Sequence, residues 1–188
     1  KVTEVLADFS TVHKTRLKPA GEVETYAGKV SENNSSNEVE IKTEDIAVIL
    51  FRFNNGALGN VTLSQVTAGR KNFLWFEISG SKTAMHWEQE NPNELWIGHR
   101  DQPNQLLSKD PSLFDASVRP LTGFPGGHAE GYPDTFLQVF RQFYSAVISN
   151  KMPENGEFAT FEDGHHEMII CDAIRESAIE RKWVRISN

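Results

Sequence analysis

Residues 125–136 read PGGHAEGYPDTF and carry more chemistry than a turn requires. Within eight positions they hold an imidazole (His128), a carboxylate (Glu130) and a phenol (Tyr132), directly ahead of a helix-starting proline, Pro133. Gly126 and Gly127 open backbone conformations closed to other residues, and Tyr132 falls at a helix N-terminus, where free amides face outward. A loop of this kind can hold polar side chains over a ligand. The same residues also fit a purely structural reading, with the glycines in a tight turn, His128 making one satisfying hydrogen bond and Tyr132 packing as a staple. Spacing alone favours that second reading, because short motifs specify function poorly.

Other reactive residues resolve more simply. His165-His166-Glu167 invites a metal reading, but the zinc pattern His-Glu-x-x-His would need a histidine where Ile170 stands. Asp163, Asp172 and Glu176 could suggest paired catalytic carboxylates; the first suits a helix cap and the others a helix surface. Asp134 fits a helix-dipole role beside the proposed loop. Trp75, Trp87 and Trp96 lie in expected strands, where buried packing is the commoner fate. The single cysteine, Cys171, sits in an apolar helical pattern and allows neither a disulfide framework nor a Cys-x-x-Cys site, which fits a reducing cytoplasm. Asn33, Asn34 and Asn60 begin Asn-x-Ser/Thr triplets of a kind common by chance.

The elements that must position the loop follow from periodicity. Residues 1–13 alternate Val5, Ala7 and Phe9 against Glu4, Leu6 and Asp8, the pattern of a half-buried strand. Residues 15–44 are polar and read as an excursion loop with no strand period before 39–42. DIAVILFRF, the turn residues Asn54-Asn55-Gly56 and LGNVTLSQVT then predict a long hairpin. Strands are expected over 72–80, 84–89 and 94–99, giving a meander of at least five, and residues 100–124 read as a crossing loop. Phe136, Val139, Phe140, Phe143, Tyr144 and Val147 predict an amphipathic helix. A second helix starts at Thr160 with Asp163 in a capping box, presenting Glu167, Ile170, Cys171, Ile174 and Ala178 on one stripe, and residues 183–187 close the chain as a short strand.

Strands, then helices, then a strand describe an α+β domain: a large, mainly antiparallel open sheet with helices on one face and the other face available for oligomerisation. At 188 residues the chain can bury roughly 70% of its unfolded surface as one domain. No apolar run approaches the roughly 20 residues of a membrane span. A formal net charge of -7 argues against an extended phosphate-binding surface, so neither membrane nor nucleic acid is an expected partner.

The ordered succession RF-x-NGALG, SQVTAGRKN, EISGSK, NPNELWIG, PGGHAEGYPDTF, FATFEDGHHEM and DAIRESA resembles the C-terminal domain of the Gfo/Idh/MocA (glucose-fructose oxidoreductase / inositol dehydrogenase) family. The resemblance implies that residues 1–188 are the substrate-binding and oligomerisation domain of an NAD(P)-dependent oxidoreductase acting on a sugar, polyol or derivative, with an N-terminal Rossmann domain lying upstream. It implies NAD or NADP as cofactor of the full-length protein, none bound by this portion alone, and a homo-oligomer, dimer or tetramer, formed through the sheet face. The family's Glu-Lys-Pro lysine and Asp-x-x-x-His pair would precede Lys1, leaving no catalytic residue within the chain and a portion inactive by itself. What remains is the substrate-side wall, with His128 and Tyr132 to hydrogen-bond sugar hydroxyls and Arg70 beside them, since imidazole and phenol can donate to or accept from a hydroxyl without permanent charge. The alternative is a non-catalytic sugar- or nucleotide-sensing protein on the same scaffold.

Overall fold

A computed structural model describes residues 1–21, 35–152 and 158–186. In chain order the elements are β1 (Val2–Ser10), β2 (Thr15–Pro19), β3 (Ser36–Glu40), β4 (Ile46–Phe53), β5 (Leu58–Ser64), β6 (Trp75–Ser79), β7 (Thr83–Glu88), β8 (Glu94–His99), β9 (Gln105–Ser108), α1 (Tyr132–Ser149), α2 (Phe161–Glu180) and β10 (Val184–Arg185). Every strand pairing is antiparallel, so the chain is α+β as its pattern predicts. The strands divide among three ladders: β10-β1-β4-β5, β2-β3 and β6-β7-β8-β9. Two compact units result, Lys1–Ala68 with Thr160–Asn188, and Gly69–Ala159.

The first unit holds the buried core. Alternation along β1 turns Val5 and Ala7 inward, and the register of β4 sets Ala47 and Ile49 beside them. Ile170, Ala173, Ile174 and Ala178 of α2 pack against that face. The hairpin expected at Asn54-Asn55-Gly56 forms, with Gly56 alone of the three at positive φ, where a side chain would be strained. β10 is two residues long and its ladder with β1 ends at Val5. Two residues further along β1, the Ala7 N–H is taken instead by the Ser177 hydroxyl at 2.9 Å, which in turn donates to the Lys182 carbonyl at 2.6 Å. Ser177 is 0% exposed and does the work of the missing strand. The capping box of α2 is in place: Asp163 N–H donates to Thr160 Oγ1 at 3.2 Å, and Thr160 N–H to the Asp163 carboxylate at 2.8 Å.

Asp45 anchors the entry to β4. Its carboxylate, 3% exposed, accepts from the amides of Val12 and His13 at 2.9 Å each and from the Arg16 guanidinium. The His13 amide, joined by Val12 and the Arg16 charge, holds its carboxyl below the usual aspartate range.

The second unit is the meander β6–β9 followed by two short 3-10 turns, Pro111–Leu113 and Arg119–Leu121, and α1. Register collects Phe76, Ile78, Met85, Trp87, Ile97 and Leu107 on one face of the meander. Several of these are exposed, including Phe76, Ile78 and Leu107. On the opposite face the Trp96 ring lies across Gly98, so that a side chain there would collide with the ring unless it moved.

Four expectations change. The single meander of five strands is instead split, because β4 and β5 pair with β1. Within the polar segment 15–44, β2 and β3 form a hairpin whose TRLKP strand is polar and largely exposed, so it shows no alternation; Asn33 and Asn34 lie outside the described residues. β9 and the 3-10 turns occupy the expected loop 100–124. The packed stripe of α2 runs through Ala173 and Ser177 rather than Glu167 and Cys171, both exposed, because small residues carry little hydropathic signal.

Candidate functional site

The loop ahead of α1 is held from the inside. Asn93, in the turn before β8, clamps it with both ends of its amide: Nδ2 donates to the Glu130 carbonyl and Oδ1 accepts from the Glu130 N–H, each at 2.9 Å. Lys109, just past β9, donates to the Glu130 carboxylate and to the Phe124 carbonyl at 3.3 Å. The other carboxylate oxygen of Glu130 receives the Gly123 N–H at 2.6 Å. The Lys109 and Glu130 side chains are 11% and 12% exposed, so the pair is largely withdrawn from water, with hydrogen bonds to offset that desolvation. Glu130 is therefore spent on architecture and does not stand over a ligand.

The glycines do two different jobs. Gly127 adopts φ 81°, a left-handed conformation, in the turn where His128 N–H donates to the Pro125 carbonyl at 3.2 Å. At Gly126 a Cβ would meet the Asp110 carboxylate at 3.3 Å. Asp110 accepts from the hydroxyl and amide of Ser112, and these bonds, the hydroxyl first, keep its carboxyl below the ordinary range.

Of the polar side chains on the loop, His128 and Tyr132 are the exposed ones, beside an exposed Phe124. The His128 ring is exposed, and its Nδ1 lies 3.4 Å from the Gly126 carbonyl. A carbonyl only accepts, so that contact is a hydrogen bond when Nδ1 carries the proton, which in the Nδ1–H tautomer leaves Nε2 as an acceptor. Tyr132 opens α1 at 55% exposed, its ring edge-on to Phe136 at 5.0 Å between centroids. Four positions apart, the two side chains share one short loop-to-helix junction. Arg70, in the same unit, is engaged elsewhere: it pairs with Glu90 at 3.3 Å and lies over the Phe73 ring at 4.0 Å.

The N-terminus of α1 is closed by its own chain, since the Asp134 carboxylate accepts the Gly131 N–H at 2.8 Å. Asp163 and Thr160 do the same for α2. A dinucleotide pyrophosphate needs a Gly-rich turn from a strand into a helix with free N-terminal amides, and neither helix among the described residues offers that arrangement. Gly59 of the NNGALG segment lies within β5 against the Phe53 ring. No group of three or more His, Cys, Asp or Glu among the described residues is placed to hold a metal, His165-His166-Glu167 included. On the covered side of α1, both polar atoms of the Gln138 amide are buried without a hydrogen-bond partner in the described structure, and its nitrogen is 3.8 Å from where a Gly123 Cβ would be.

Sequence reasoning singled out the outward residues and missed the inner ones. Asn93 and Lys109 meet Glu130 across 37 and 21 positions, and no local pattern marks them.

Residues 14–186 match the model of the oxidoreductase family's C-terminal alpha/beta domain. The chain belongs to this family, the Gfo/Idh/MocA oxidoreductases. This oxidoreductase domain is 26% identical over 153 residues to levoglucosan dehydrogenase of Pseudarthrobacter phenanthrenivorans, covering 78% of this chain and 37% of that protein. Levoglucosan dehydrogenase in its apo form superimposes with a TM-score of 0.81 at 24% identity, covering 100% of this chain and 46% of that one. Its complex with NADH and levoglucosan gives 0.79 at 22% identity, covering 100% and 46%. These likenesses establish the fold, and the chain spans less than half the length of the relatives it matches. No helix among the described residues is long and apolar enough to cross a membrane.

Proposed function

We propose that residues 1–188 act as the substrate-binding and oligomerisation domain of an NAD(P)-dependent dehydrogenase or reductase whose substrate is a sugar, a polyol or a derivative. The reading is supported by family membership and by the levoglucosan and NADH complex of a relative. One observation carries it to residues: the architectural needs of the 123–131 loop are met by Asn93, Lys109 and Glu130, while His128 and Tyr132 are turned outward. A polyol is a dense array of hydroxyls, and an imidazole acceptor beside a phenol can read two of them at once. Neither group carries a permanent charge, and each can donate to or accept from a substrate hydroxyl to orient it.

In this reading the nicotinamide, held by a Rossmann domain preceding Lys1, supplies hydride transfer, and the lysine and Asp/His pair of that upstream portion handle the proton. Residues 1–188 by themselves bind no NAD and turn nothing over. The Phe76, Ile78, Met85 and Leu107 face of the meander supports a second copy of the chain as partner, since an apolar sheet face of this breadth is a common isologous interface. Arg70, tied to Glu90 and Phe73, contributes to the substrate wall only where that ion pair opens.

The test is kinetic, in the full-length enzyme. His128→Ala and Tyr132→Phe are each expected to lower kcat/KM for a polyol substrate by about 1–3 kcal/mol, the cost of leaving a buried hydroxyl unpaired. Unaltered kinetics in both variants would return the loop to a structural role.

A further inference from the structure

Helix α1 is turned inside out relative to the unit that carries it. Among its 18 residues the positions with partial cover are Asp134, Gln138, Gln142 and Ala146, spaced by four and therefore on one side. Phe136, Val139, Phe140, Phe143, Tyr144 and Val147 lie on the opposite side, at about 100° per residue, and all are exposed. An amphipathic helix normally buries its apolar stripe. Here the inward side is polar, to the point of hiding the unpaired Gln138 amide, and the aromatic side is exposed apart from an edge-on contact of Phe143 with Phe158. At roughly 150–200 Å² per side chain and about half exposure, the exposed face amounts to on the order of 500 Å², in the upper range of the largest patches on ordinary monomers, which are often functional. Asp134 and Arg141 are the only charged residues of the helix, and Asp134 is committed to the cap, so no ring of charge keeps this face in water.

We propose that the outward apolar face of α1 is the seat of the polypeptide that precedes Lys1 in the full-length enzyme, packed there within the same molecule and not by a second copy. The inference rests on the function proposed above and adds to it the surface that joins the two halves. Three observations select that occupant. Solved relatives that match the whole of this chain are more than twice its length, so over half of such a protein lies elsewhere and needs a contact surface. α1 begins at Tyr132, four residues beyond His128, so its apolar face is continuous with the junction that meets substrate. Hydride transfer requires the nicotinamide carbon and the substrate carbon to approach within roughly 3–3.5 Å, so the half that brings the nicotinamide must border this junction. A second copy seated on α1 would occupy the same space, and the apolar face of the meander gives that copy a separate place.

The test reads the occupant directly. p-Benzoylphenylalanine is placed at Phe140, and separately at Tyr144, of the full-length enzyme and photolysed. The expected products join α1 to peptides preceding Lys1, migrate as monomers, and keep their yield over about 100-fold dilution. Cross-links confined to residues 1–188, dimers that fade on dilution, or a yield no greater than from the same probe at Phe161, which is fully exposed, would each overturn the proposal. Two probe positions guard against one that misfolds, checked by circular dichroism. Sugar turnover does not enter the readout, so a loop without a role in substrate binding leaves this result standing, and the reverse holds as well.

Discussion

The two long helices make opposite use of similar lengths, 18 residues in α1 and 20 in α2. α1 has the stronger apolar periodicity and contributes no buried residue, whereas α2 shows little periodicity and inserts Ala173 and Ser177 fully into the core of its unit. Small residues let α2 approach β1 closely enough for a serine hydroxyl to stand in for a strand. Large aromatics on α1 face away from their own unit. Hydrophobic periodicity therefore signals that a helix needs a partner, and it is silent on whether that partner lies in the same chain.

The comparison predicts where stability resides. Ile49→Ala, at the meeting of β4 with α2, is expected to cost about 2–5 kcal/mol, read as a lower denaturant midpoint for this chain. A cost near zero would mean that the α2 contact is incidental and that the two helices do not differ in kind. Ser177→Ala comes next, at about 1–3 kcal/mol, because it leaves the Ala7 N–H and the Lys182 carbonyl without their shared partner. A milder loss would show that water enters the gap left beyond β10.

Asp45 sharpens the contrast through pH. Its folded-state pKa lies below the ordinary 3.8, so the unfolded chain takes up the proton first as pH falls. The stabilisation is complete well above 3.8 and drains away as pH drops through that value toward the lowered one. Asp45→Asn should therefore be less stable than the native chain at neutral pH and should show a flatter acid limb in a series of unfolding curves. An unchanged acid limb would mean that the amides of Val12 and His13 do not hold the ionised form.

Much of this was legible beforehand, for identifiable reasons. The Asn54-Asn55-Gly56 turn, the Thr160 capping box and the alternation of Val5 and Ala7 are local signals, each read within a few residues. β2 and β9 escaped notice because short polar or exposed strands lack a buried face to alternate against. At the site, glycines, a histidine and a tyrosine before a proline marked the outward junction correctly as a loop leading into a helix. The clamp of Glu130 by Asn93 and Lys109 has no local signal, since it depends on contacts 21 to 37 residues distant that only the folded chain creates.

The smallest expected effect is also the most discriminating. Phe140 is 56% exposed on α1, so Phe140→Ser removes little that this chain buries, and its unfolding free energy should fall by no more than about 0.5 kcal/mol. For a phenylalanine that is an unusual outcome, since a buried one would cost about 3–5 kcal/mol when truncated. A large loss in the 188-residue chain would mean that α1 finds its cover among these residues after all, and the contrast between the helices would collapse. A negligible loss here, set beside a substantial one in a chain that also carries the proposed upstream domain, would locate the partner of the aromatic face in that domain. The difference between the two measurements, more than either alone, reports how much of that face is covered in the intact molecule.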